Sequence, residues 1–446
     1  MGRRAVVFVG SVLVATVLAM VPGTEPRGEA ATSPQFTVYV TTFDGGTMVP
    51  IDVATNTTGT PLAVGADPAA VAITPDGATA YVANVFSHTV TPIDLATNTP
   101  GTPIAVGADP RGVAITPDGA TAYVTNNSSD DVTPIDLATN TPGTPITGFA
   151  GPVGVAVTPN GATAYVTNVD NNTVTPIDVA TNTLGTPIPV GTNPLRVAIT
   201  PDGATAYVAN RGSGTVTPID VATNTPGTPI VVGAEAYDVA ITPDGATAYV
   251  ANNIPSGTVT PIHLATNTPG TPIPVGTNPV GVAITPDGAN AYVANIGGDD
   301  VTPINLATNT PGTPIVVGSG PAGVAITPDQ APVAKLSVTP GEAGQPTAFD
   351  ASASTVRFGT IKSYVWDFGD GSPIVTTATP MTTHVYTASG SYTAKLTETS
   401  SAGTSTTKVF TGQTMSRRGD PSAVATATVA VQTPAKPVEV VPRFTG

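Results

Sequence analysis

Few residues in this chain carry side chains suited to catalysis or metal binding, and their spacing limits what they can do. There are three histidines, His88, His263 and His384, and no cysteine. A zinc site gathers several His, Cys or carboxylate ligands in one place, and three histidines in three separate contexts do not offer that. Without cysteine there are no disulfides, thiolate ligands or thiol nucleophiles. The HExxH and GxSxG patterns do not occur. Carboxylates are more regular. An Asp closes the motif VTPID at Asp94, Asp136, Asp178 and Asp220; Asp52 ends the variant MVPID, and His263 and Asn305 take that place in two further copies. A ring of metal ligands is one reading. A turn residue that caps backbone N–H groups in every copy is the simpler one, because Asn fills that role too. Asp367 and Asp370, in the run WDFGDGS, could touch Ca²⁺, with turn stabilisation as the competing role. No residue set implies a cofactor.

The elements that hold these residues repeat. Tyr39, Tyr81, Tyr123, Tyr165, Tyr207 and Tyr249 are spaced by 42 residues, and Tyr292 follows after 43. A period of this length marks a propeller, a solenoid or an array. Within residues 110–149, two β-branched runs flank Pro117-Asp118-Gly119, a turn signal. A third strand ends at Asp136, and a fourth opens at Pro145-Ile146 after a second turn. Four short strands per unit match a propeller blade. The array begins with a second strand and ends with a first strand. The leading segment 36–64 therefore lacks one strand, which residues 321–328 supply. The result is a seven-bladed ring closed by both ends of the array, which hides sheet edges that an open array would expose.

The tetrapeptide YVTN at Tyr123–Asn126 and Tyr165–Asn168, with YVAN elsewhere, and the IDxATNT turns resemble the YVTN family of seven-bladed β-propellers. The resemblance covers about residues 36–330. It implies an all-β propeller fold and a surface or secreted setting, and it implies no single activity. The repeat stops at Asp329-Gln330-Ala331-Pro332. Beyond it the hairpin WDFGDGS, His384-Val385-Tyr386 and Gly390-Ser391-Tyr392 resemble a PKD domain, an Ig-like β-sandwich. The expected organisation is an export signal over 1–31, a propeller over 32–330, a PKD domain over 331–432 and a Pro-rich disordered tail over 433–446.

Composition agrees with many short strands and tight turns. Gly and Pro number 47 each among 446 residues, and charged residues make up 10%. The formal net charge is −15, which argues against a nucleic-acid footprint and against attraction to anionic lipid. Arg3 and Arg4 precede an apolar run from Ala5 to Val21, and small residues at Ala30-Ala31 offer a cleavage site. The expected localisation is secreted or cell-surface, with no stable membrane insertion after cleavage.

Contrast between the repeats points to one face. The TPDGAT and DxATNTxGT turns hardly vary, and both lie on one side of a propeller. The loops between the second and third strands and those between blades do vary, on the opposite side. Arg111, Arg196, Arg211, Tyr237, Asp238, Asp130, Asp131, Asp299 and Asp300 are the candidate binding-face residues. Drift of copies where loops tolerate it is the other explanation. Near-identical blades favour a non-enzymatic platform for an extracellular protein or polysaccharide, with the PKD domain as a spacer or adhesive module. A lactonase- or lyase-like propeller enzyme is the alternative, for which His88 with Asp130 or Asp299 is the available set. A self-assembling surface-layer component is a third reading.

Overall fold

A computed structural model describes residues 36–356, 360–401, 409–410, 416–418 and 421–434. The expected export signal and residues 435–446 of the expected tail lie outside them, as do Gly419 and Asp420 of an Arg-Gly-Asp tripeptide. No helix among the described residues is long and apolar enough to cross a membrane.

Residues 37–326 form seven antiparallel sheets of one pattern. In the third, Pro110–Ile115 is the inner strand, followed outward by Thr121–Asn126 and Asp131–Asp136. The outer edge is two short pieces, Thr141–Pro142 and Ile146–Thr147, both paired with Asp131–Asp136. The break falls at Gly143-Thr144-Pro145. Proline has no N–H to give a ladder, and here it sits on the edge, where that loss is tolerated. Each sheet is a blade, numbered 1 to 7 along the chain.

Blade 1 is built from both ends of the array. Its inner strand is Pro321–Ile326, which pairs antiparallel with Thr37–Thr42. The predicted closure is therefore present, and the ring has seven blades. The apolar cores lie between blades rather than within them. Ala70, Ala72, Tyr81 and Val90 of blade 2 pack against Val113, Ile115, Val124 and Ile135 of blade 3. Alternation along each strand sends one face to each neighbour.

A side-chain bond accompanies each core. Tyr81 Oη donates to Asn140 Oδ1 at 2.8 Å, linking blade 2 to blade 3. The same bond recurs from Tyr123 to Asn182 at 2.7 Å and from Tyr165 to Asn224 at 2.6 Å. It crosses the seam as well, from Tyr292 of blade 7 to Asn56 of blade 1 at 2.8 Å. Burial pushes the Tyr81, Tyr123, Tyr165 and Tyr292 phenols up to about 12. The Tyr of YVTN and the Asn of ATNT are thus two halves of one inter-blade contact, which explains why they repeat together.

The recurring Asp after the third strand caps its own turn. Asp136 Oδ1 accepts from the Thr139 N–H and hydroxyl, both at 2.9 Å. Asn305 does the same for Thr308 at 3.2 and 3.1 Å. At His263 the corresponding bond comes from the backbone, Thr266 N–H to the His263 carbonyl at 3.3 Å.

The C-terminal module is a sandwich of two sheets. One contains Ser337–Thr339, Pro346–Asp350 and Met381–Val385; the other contains Val375–Thr377, Ile361–Asp367, Gly390–Ser400 and Val424–Val431. Phe349, Trp366, Phe368, Tyr386 and Leu396 fill the space between them. Asp367 Oδ1 accepts from Gly369 N–H and Asp370 Oδ1 from Ser372 N–H, each at 3.0 Å. His384 Nε2 meets Asp370 Oδ2 at 2.7 Å and stacks on Phe368, centroids 4.1 Å apart. Burial raises the Asp370 carboxyl, but bonds from Ser372 and His384 outweigh it and hold it at about 2. Asp329–Gln330 pairs parallel with Arg417–Arg418, and Gln330 Nε2 donates to the Pro75 carbonyl of blade 2 at 2.8 Å.

Candidate functional site

Every inner strand opens with a bulge: in blade 3, Pro110 pairs with Asn126 and Gly112 with Thr125, so Arg111 is left between them. The residue at this bulge comes to the mouth of the central channel. Ala69, Val153, Leu195, Val280 and Ala322 stand there from five blades, and Arg111 and Tyr237 from the other two. Together with Phe43, Asn127, Val169, Ile296 and Arg196 they enclose a cavity of about 330 Å³. This is within the usual range for small-molecule sites.

The next residue along each inner strand forms a second ring. It is Gly112, Gly154, Gly281 and Gly323 in four blades and Ala70 in a fifth. Crowding explains the glycines. A Cβ on Gly154 would stand 2.3 Å from the Leu195 carbonyl oxygen, and one on Gly112 would stand 2.4 Å from that of Val153. The two exceptions are neighbours, Arg196 in blade 5 and Asp238 in blade 6. Both line a smaller space beside the mouth, with Ala70, Gly281 and Gly323.

Backbone contacts fix both side chains. Arg196 Nη1 reaches across blade 4 and donates to the Arg111 carbonyl at 3.0 Å. A guanidinium has five N–H donors, so this leaves capacity for a ligand. Asp238 Oδ2 accepts from Val282 N–H of the next blade at 3.0 Å, and Oδ1 accepts from Val239 N–H at 2.9 Å. Burial nevertheless pushes the Asp238 carboxyl up; the Arg196 charge and the two backbone donors oppose this and are outweighed. The two side chains do not form a direct ion pair, although three ion pairs form among the described residues. A cation and a carboxyl held apart in one confined space can act on the two ends of a polar bond.

The remaining face residues are distributed differently. Arg111 Nε sits 2.7 Å from Asp109 Oδ1, which orients its guanidinium at the rim. Arg211 pairs with Glu235 at an exposed position. Asp130 Oδ1 accepts from Gly151 N–H at 2.7 Å and Asp299 Oδ1 from Gly320 N–H at 2.9 Å. His88 Nδ1 takes the same place in blade 2, accepting from Asp109 N–H at 3.1 Å. These three residues have positive φ, at 53 to 57°, in a turn that suits Asn, Asp or Gly. His88, Asp130 and Asp299 are therefore equivalent turn residues in blades 2, 3 and 7, and they do not converge. Asp131 and Asp300 accept from the amides of Asn126 and Asn295 at 2.6 and 2.7 Å inside their own blades.

The structure thus places Arg111, Arg196 and Tyr237 at the mouth and Arg196 with Asp238 on the smaller space beside it, and leaves the other five elsewhere. Leu195, Val280 and the glycine ring were not singled out from the sequence. Aligning the seven inner strands and asking which position is Gly or Ala except in two adjacent copies would have exposed the ring.

Comparison with known proteins places this architecture. Residues 329–414 match the PKD domain, a module typical of extracellular proteins. No curated protein matches the chain. Among solved structures, the Pseudomonas aeruginosa periplasmic gluconolactonase is similar with a TM-score of 0.55 at 18% identity, over 66% of this chain and 99% of that one. A candidate 6-phosphogluconolactonase from Bacteroides uniformis gives 0.57 at 19%, over 66% and 99%. Hydrazine synthase from Kuenenia stuttgartiensis gives 0.55 at 25%, over 57% and 88%. The chain is a β-propeller followed by a PKD domain. The expectation that it is not an enzyme is corrected here, because propellers of this build include enzymes. Uniform blades were its warrant, and the channel lining is where the blades differ.

Proposed function

We propose that the channel mouth is the active site of an exported hydrolase that opens a lactone ring. One observation carries this reading: Arg196 and Asp238 stand side by side where the other five blades place Gly or Ala. The similarity in fold to a gluconolactonase supports the reaction class. Asp238 is the general base. Its carboxylate takes a proton from water as the oxygen of that water bonds to the lactone carbonyl carbon. Arg196 stabilises the oxyanion. The ring C–O bond then breaks, and the alkoxide recovers the proton from Asp238, leaving a hydroxy acid whose carboxyl releases its remaining proton to solvent and faces Arg196 as a carboxylate. Lactone plus water gives hydroxy acid, and no further reactant is needed. A carboxyl raised toward neutrality is a stronger base than an ordinary one. The PKD domain serves as a spacer that holds the propeller near a surface polysaccharide or protein.

Acid release from a panel of lactones, followed at constant pH with the full chain, tests the assignment. Asp238→Asn is expected to lower kcat/KM by about 10² to 10⁴, and Arg196→Ala by about 10². Undiminished turnover in Asp238→Asn, or no turnover of any lactone by the wild type, overturns it.

A further inference from the structure

The lining of the mouth narrows the substrate. This step rests on the hydrolase reading for the reaction but on separate residues for the ligand. Polar side chains at the mouth are confined to blade 3, with Arg111 and Asn127, to Tyr237 of blade 6, and to Arg196 below. Across blades 7, 1 and 2 the lining side chains are all apolar: Val280 and Ile296, then Ala322 and Phe43, then Ala69. Val280 and Ala69 are buried, and Ile296, Phe43 and Ala322 are half-buried. A polyhydroxylated sugar acid laid against this arc would lose water from hydroxyls that find no partner there, which is costly. An alkyl chain would gain from the same contact.

We propose that the site takes an amphipathic ligand, a lactone or hydroxy acid bearing an alkyl tail. Its oxygenated head sits in the mouth against Arg196, with Asp238 bordering the smaller space that Arg196 also lines, and its tail runs along the arc of blades 7, 1 and 2. A cavity of about 330 Å³ lies at the small end of the range for ligand sites, so it suits one small ring and a short chain. Discrimination resides in the tail contacts, and a sugar lactone is a poor fit to them.

Titration calorimetry of the full chain with straight-chain carboxylates from butanoate to octanoate, and with gluconate, tests this. Affinity is expected to rise about fourfold per methylene, with gluconate no better than butanoate. Ile296→Ser and Phe43→Ser change only the arc, and melting curves check that both variants fold. Each is expected to weaken octanoate binding far more than butanoate binding and so flatten the dependence on chain length. Affinity independent of chain length, or gluconate binding as tightly as octanoate, overturns the proposal. The two readings fail separately. Chain-length-dependent binding with no turnover of any lactone removes the hydrolase and keeps the alkyl site. Turnover of gluconolactone that equals that of alkyl γ-lactones removes the alkyl site and keeps the hydrolase.

Discussion

Asp238 combines two properties that pull against each other. Burial raises its carboxyl above the usual aspartate range, which suits a base and harms the fold. The sign follows from linkage: a carboxyl with a raised folded pKa favours the native state at low pH, and this benefit is lost as pH climbs from the ordinary value of 3.8 through the folded one. The wild type is therefore expected to lose melting temperature relative to Asp238→Asn as pH rises from about 4 to 7, whatever fixed offset the lost backbone bond adds; a difference that does not change with pH contradicts the burial argument. In the wild type kcat/KM should rise with pH along an ionisation clearly above 3.8. A profile already flat at pH 5 would show an ordinary carboxylate instead. At this scale the sequence was only partly legible. It offered Arg196 and Asp238 among nine face residues, and only an alignment of the seven inner strands separates them from Asp130 or Asp299. Those two are turn residues because their φ is positive, a backbone property that Asp shares with Asn and Gly in the other copies.

The elements repeat because each blade needs the same contacts with its neighbour. Turn capping was readable directly, since Asp and Asn interchange at that place. The Tyr–Asn bond was not, because its partners lie 59 residues apart, as in Tyr81 with Asn140, and belong to different copies. His263 is the exception that tests the turn. His263→Asp should restore the N–H and hydroxyl bonds seen at Asp136 and stabilise the protein by about 1 kcal/mol, read as an increase in melting temperature; no increase would show that the backbone bond suffices. The Tyr network predicts alkaline behaviour. With folded pKa values near 12 against 10.0 for free tyrosine, neutral phenols favour the folded form below pH 10, and that contribution disappears as pH rises through 12. Unfolding followed by circular dichroism should begin within this interval and coincide with phenolate absorbance. Ionisation of the seven network phenols near pH 10 without loss of structure would contradict it.

The whole ring depends on Thr37–Thr42 finding Pro321–Ile326. Seven blades and their closure were legible because each strand type could be tallied along the chain. The C-terminal sandwich was legible because its aromatic motif is local. The channel was not, since its lining takes only one or two residues from each repeat and becomes a site only when the circle is formed. Deleting residues 321–330 should leave blade 1 without its inner strand and expose the cores on either side. We expect rapid proteolysis between residues 36 and 110, and a resistant fragment spanning that region would refute the dependence. The seam between blades 7 and 1 carries the Tyr292–Asn56 bond at 2.8 Å, the same contact found between blades encoded contiguously. Thermodynamically, then, the circle has no privileged origin. Moving the start of the gene to any other blade boundary, and joining the present ends with a flexible tether, should yield permuted chains that reach the same shape. Which blade is shared between the two ends of the array is an accident of encoding rather than a requirement of the architecture.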